Sequence, residues 1–199
     1  MRVVFPGALA AVLLALQALP APVPAAAATA GATHYVLDPA KSTLEFTFTQ
    51  AGAQNKGGFR HFTTVLDWSS DDPAASHLEV TVEMASVDTG DQERDDTLRD
   101  ADLFAVKKFA QARFSATQIV KTASGYEAVG KLTIRDITRD MRVPFSLRTA
   151  PEQGQNVAYM TGKTSLKRLD FGVGQGDWKA TDQVGNEVAV AFALRLIAH

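Results

Sequence analysis

The chain has no cysteine among its 199 residues. That excludes disulfide stabilisation, thiolate catalysis and zinc–sulfur sites, so packing and strand pairing must supply the stability. Net charge is also scarce. The 20 basic and 22 acidic residues nearly cancel, too mild a balance to imply nucleic acid or an anionic membrane surface as partner. Histidine is sparse: His34, His61, His77 and His199 are scattered, with no ligand partner at strand or helix spacing. No serine sits in a nucleophile elbow, and the glycine-rich run Gly172 to Asp177 lacks the Lys-Ser/Thr of a phosphate loop. The acids between Asp88 and Asp102 lack the alternating spacing and closing Glu of a calcium loop. With no acid–base or nucleophile constellation, no cofactor is expected and a non-enzyme is the leading expectation.

The first thirty residues differ in character from the rest. Arg2 supplies a weak positive start, Ala8 to Leu19 is apolar except for Gln17, and Pro20, Pro22, Pro24 and a run of alanines follow. This is the layout of a cleaved export signal over residues 1–28, with Ala30 the alternative cleavage point. The competing reading is an uncleaved anchor, but Pro6 and the short apolar stretch fall below the roughly 20 apolar residues of a span. Residues 29–199 then form one domain, and periplasmic localisation is expected.

What is abundant is strict alternation. Leu44, Phe46 and Phe48 alternate with polar residues. So do Leu78, Val80, Val82 and Met84; Met141, Val143, Phe145 and Leu147; and Val188, Val190, Phe192, Leu194 and Leu196. Period-two patterns of this kind predict half-buried strands. About eight are expected, joined by turns that favour antiparallel neighbours, with Gly52, Gly57 and Gly58 read as a turn and a bulge near Arg60. One dry face and one wet face require the sheet to fold onto itself or onto a second sheet. The expected fold is all-β, an eight-stranded antiparallel barrel with room for side chains or one small ligand.

One stretch breaks the pattern. Val87 to Phe114 is crowded with acids yet carries Leu98, Leu103, Phe104 and Phe109. It predicts a short helix at about 93–101 over one end of the barrel, capped by Thr89 or Asp91, with Leu98 inward and the acids in water. Phe104 and Phe109 would pin the return. A solvated charged turn is the alternative.

Of the aromatics, 11 are Phe against 2 Trp and 3 Tyr. The inward phase of the strands collects Phe46, Phe48, Phe62, Phe114, Phe145 and Phe192, with Val82 and Leu132. They either fill the core or wall a channel. Gly130, Ala158 and Gly162 on the inward phase suggest missing volume, and Thr64 and Thr164 also face in on this reading.

These residues carry a family resemblance. Tyr35-Val36-Leu37-Asp38-Pro39 with Ser42 and Phe46, Gly58-Phe59 with Phe62, Ser86 to Thr89, Arg94-Asp95 with Leu98, Asp102 to Phe104, Phe109 with Phe114, Gly130 to Ile134, and Asp170 to Gly174 together resemble the YceI-like proteins. Those are exported, lipocalin-like, polyisoprenoid-binding bacterial proteins. The resemblance implies a lengthwise apolar channel and an isoprenoid lipid, polyprenyl or quinone-like, as ligand. It also implies a possible association with a membrane redox protein of the b-type cytochrome kind. The eight inward residues named above become the channel, and Arg94, Arg168 and Trp178 the candidates for the headgroup, with a salt bridge or loop anchor as their alternative role. Lys41, Gln50 and Ala110 depart from the family's usual His, His and Pro, so a His-dependent headgroup contact is not carried over. The rival to lipid binding is an interaction module with a self-filled barrel; a homodimer is compatible with either.

Overall fold

The computed structural model describes residues 31–199; the expected export segment lies outside the described residues. Eleven strands follow one another: β1 Thr33–Leu37, β2 Thr43–Gln50, β3 Ala53–Phe59, β4 Phe62–Trp68, β5 His77–Glu83, β6 Val87–Asp88, β7 Gln111–Thr122, β8 Gly125–Ile134, β9 Ile137–Glu152, β10 Gln155–Lys167 and β11 Val184–Ala198. One short helix, α1 Gln92–Arg99, separates β6 from β7.

The eleven segments make eight staves. A 3₁₀ turn at Pro39–Lys41 interrupts the first stave, β1 with β2. The second is β3 with β4, broken at Arg60 and His61, where the sequence suggests a bulge. The third is β5 with β6, broken by a 3₁₀ turn at Met84–Ser86. Each stave pairs antiparallel with the next in chain order, and β11 closes the ring by pairing with β10 on one side and with β1 and β2 on the other. Closure pairs the first stave with the last, leaving only short stretches such as β6 and residues 53–57 of β3 paired on one side. β3 corrects the expectation of a turn over Gly57 and Gly58: both pair with β2, Phe46↔Gly57 and Glu45↔Gly58. The glycine at 57 makes room for the Phe46 ring, which a Cβ there would approach to 2.5 Å.

The alternation places its apolar faces inward, but the interior differs from end to end. At the end formed by β1, β4 and the C-terminal half of β11, Tyr35, Leu66, Trp68, Leu78, Ile119, Phe145 and Leu196 are buried together. Trp68 meets Tyr126 edge-on at 4.9 Å, and Tyr126 stacks on Phe145 at 5.6 Å. This plug seals that end. Leu66, Leu78 and Leu196 are essentially inaccessible, each contributing about 1.5–3 kcal/mol of transfer free energy. Outside the plug, Arg195 Nη1 donates to Asp38 at 2.6 Å and Nη2 to Glu152 at 3.0 Å, and Tyr159 donates to Glu152 as well. The first stave, the β9–β10 hairpin and β11 are thereby tied together.

At the other end α1 and the loop after β10 form a cover. Asp91 caps α1, accepting from Arg94 N at 3.1 Å. Thr89, the other cap candidate, instead donates from both its N (2.8 Å) and Oγ1 (2.7 Å) to Asp95. Asp95 is thus a correction to the expectation of water-facing acids: it is 6% exposed and ties the helix to the preceding strand. Arg99 adds bonds to the carbonyls of Ala85 and Val87. Leu103, Phe171 and Val173 are buried beneath the cover, with Leu98, Phe104 and Trp178 against them. Phe109 lies under Arg135, whose Nη1 donates to the carbonyls of Ala101 and Leu103, so the return to β7 is pinned as expected.

Candidate functional site: a covered apolar cavity

Between plug and cover the barrel is hollow. The cavity has a volume of about 500 Å³, within the roughly 300–1,000 Å³ usual for small-molecule sites. Every stave contributes to its wall. Phe46 and Phe48 come from β2, Phe62 from β4, Val82 from β5, Phe114 from β7, Leu132 from β8 and Phe192 from β11. Seven of the eight channel residues expected from sequence therefore share one space.

Phe145 is the exception. It does not line the cavity; it is 4% exposed and belongs to the aromatic plug, where it pairs with Tyr126. Alternation correctly places its side chain inside the barrel but says nothing of its height along the axis. The small residues are a second correction, because Gly130, Ala158 and Gly162 do not line the cavity either. Gly130 lets β8 approach the bulge in β7: a Cβ there would sit 2.2 Å from Ser115 O. The space above Gly162 is filled by the Phe192 ring, 2.3 Å from where a Cβ would be. The hollow persists because the wall side chains, Val80, Val82, Val188 and Val190 among them, do not fill the width of the barrel.

The three headgroup candidates all border the cavity near its cover. Arg94 projects from α1 with its side chain 30% exposed and Nη2 3.9 Å from Asp91, so its cation is accessible. Trp178 is half-buried and packs into the cover. Arg168 is different. Nε donates to Gly185 O at 3.0 Å, Nη1 to Val173 O at 3.0 Å and Trp178 O at 2.7 Å, and Nη2 to Ala180 O at 3.3 Å and Val184 O at 2.8 Å. A guanidinium has five N–H donors, and here backbone carbonyls take all five. Burial pushes its pKa down from the ordinary value. Gly174, at φ +113°, gives the room: a Cβ there would lie 1.9 Å from Arg168 Nη1. Arg168 is the loop anchor, and no donor is left for a headgroup.

Sequence reading passed over several wall residues. Val80, Met160 and Val190 lie on the inward phases already identified, so the alternation alone could have included them. Leu98, Leu103 and Leu166 roof the space from the cover and its base. Thr64 and Thr164 are polar wall residues, as expected. Among the described residues no group of His, Asp and Glu could hold a metal ion, and no helix is long and apolar enough to cross a membrane.

Fold and cavity define a class: an up-and-down antiparallel barrel, plugged at one end and covered at the other, with an apolar interior. Within that class the match is to the YceI-like domain, which spans residues 35–196, and the chain belongs to this family. A UPF0312 protein of Serratia proteamaculans is 35% identical over 121 residues, 59% of this chain and 62% of the relative, so the chain spans about three-fifths of that relative's length. A UPF0312 protein of Shewanella baltica is 31% identical over 153 residues, 72% of this chain and 78% of the relative. Among solved structures, Burkholderia cenocepacia BcnA superposes with a TM-score of 0.74 at 30% identity, covering 80% of this chain and 98% of that one. A domain from Saccharophagus degradans, described as polyisoprenoid-binding and implicated in plant cell wall breakdown, superposes with a TM-score of 0.61 at 16% identity over 83% of this chain and 98% of that one. That last likeness is one of fold.

Proposed function

We infer that this chain is a non-catalytic binding protein for an isoprenoid lipid, polyprenyl or quinone-like, working in the periplasm after export. The observation that carries the reading is the 500 Å³ cavity with walls of Phe, Leu, Val and Met. Each buried CH₂ contributes about 0.8 kcal/mol, so ten buried carbons supply roughly 8 kcal/mol before ordering costs are subtracted. No charged contact is needed for retention. Family membership and the Saccharophagus domain's stated ligand class support the choice of an isoprenoid chain. Arg94, ion-paired with Asp91 at 3.9 Å, borders the cavity near the cover.

The rival, an interaction module with a self-filled barrel, is disfavoured by the hollow interior. The lipid reading leaves room for a membrane redox partner and for a homodimer, the latter decided by light scattering on the purified protein. Lipid extraction of protein purified from its native source, followed by mass spectrometry, tests the function. An isoprenoid lipid in the extract is the expected result. Its absence, together with no uptake of added polyprenol, overturns the reading.

A further inference from the structure

Thr64 is out of character with its surroundings. It lies on the inward face of β4 between Phe62 and Leu66, pairs with Val80 across to β5, and borders the cavity where it meets the plug. It is 1% exposed, and its Oγ1 has no hydrogen-bond partner. A buried hydroxyl without a partner is a standing cost to the fold, which a valine of the same shape would avoid. A lone water is a poor remedy, because a held water needs two to four polar partners. Phe62, Leu66 and Val80 supply no side-chain polar atom. A partner brought by a ligand is the remaining remedy, and a step about χ1 exchanges the hydroxyl with the methyl inside the same volume.

Resting on the lipid-binding reading, we propose that Thr64 is a polar subsite at the cavity floor that selects lipids entering with a neutral hydrogen-bonding end, a hydroxyl or a carbonyl. The ligand is seated polar end inward, with its hydrocarbon chain running toward the cover. A phosphorylated end does not suit this floor. The cations that border the cavity among the described residues are Arg94, Arg113 and Arg168. Arg94 is on the covering helix, Arg113 lies on the outward, exposed phase of β7, and every donor of Arg168 is taken. A phosphate brought to Thr64 would be buried without a counter-charge, which is prohibitive.

The test measures binding of three probes of equal chain length: geranylgeraniol, its parent hydrocarbon and geranylgeranyl phosphate. Wild-type protein is compared with Thr64→Val and Thr64→Ser. Expected is wild-type preference for the alcohol over both other probes. Thr64→Val should weaken the alcohol about tenfold, equivalent to roughly 1.4 kcal/mol, and leave the hydrocarbon unchanged. Thr64→Ser should retain the preference. Thr64→Val should melt no lower than wild type, which excludes misfolding as the cause. Should Thr64→Val leave the alcohol-to-hydrocarbon ratio as it was, or should the phosphate bind best, the subsite is wrong while lipid binding stands. Failure of every probe to bind removes both.

Discussion

Arg168→Met separates an anchoring guanidinium from a ligand-binding one. The methionine keeps much of the apolar stem and removes all five donors. Two of the five bonds, to Val173 O (3.0 Å) and Val184 O (2.8 Å), are fully buried. Leaving those carbonyls unpaired costs about 1–3 kcal/mol each. The other three carbonyls are partly buried and recover hydration at little cost. Relief of the buried charge returns part of the loss, so the net destabilisation should be about 3 kcal/mol. With a urea slope of about 1–3 kcal/mol per M, the unfolding midpoint should fall by roughly 1–3 M. Intrinsic tryptophan fluorescence suits the assay, because Trp68 sits in the plug and Trp178 beside the anchored loop. Hydrogen exchange should show the extra opening concentrated over 173–185. Arg168→Lys, with three donors, should recover a fraction of the lost stability. An unchanged midpoint combined with weakened lipid binding would refute the anchoring role and return Arg168 to the headgroup.

Phe145→Ala should cost about 3–5 kcal/mol by opening a hole in the plug, with lipid affinity little changed, as calorimetry and a binding titration would read; a selective loss of binding would contradict its placement outside the cavity. Gly162→Ala should lower stability by about 1–3 kcal/mol, because the new methyl meets the Phe192 ring and, at 2.5 Å, the fixed carbonyl of Pro144; an unaltered melting temperature would count against that packing. Glu152 is held below its ordinary pKa of 4.5, first by the Tyr159 hydroxyl and then by Arg195. Its stabilisation is present above pH 4.5 and fades as pH falls through the lower folded value. Glu152→Gln should therefore destabilise at neutral pH and flatten the loss of stability on acidification; a profile parallel to wild type would exclude this linkage.

Much of the fold was legible because alternation is local. Leu44, Phe46 and Phe48 state which side of β2 is dry without reference to any other strand. A helix start capped by Thr89 or Asp91 is read in the same local way, and the structure selects Asp91. The YceI-like match extends that legibility across the whole barrel, since its signature residues sit in turns and covers as well as strands. Where sequence reading went wrong, a contact made only on folding decided the outcome. Gly57 looks like a turn residue until Phe46 is laid across it, and Asp95 looks solvated until Thr89 is folded over it.

The sequence by itself determined antiparallel strands and the inward phase of nearly every wall residue, because a period of two is written within a few adjacent residues; it offered the acidic helix beside a charged turn, and folding settled on the helix. Tertiary structure alone decided the level of each inward side chain along the barrel axis. That level depends on the register between strands far apart in the chain. It is why Phe145 plugs while Phe46 lines, why the five donors of Arg168 are spent on its own loop, and why the hydroxyl of Thr64 is left facing no protein partner.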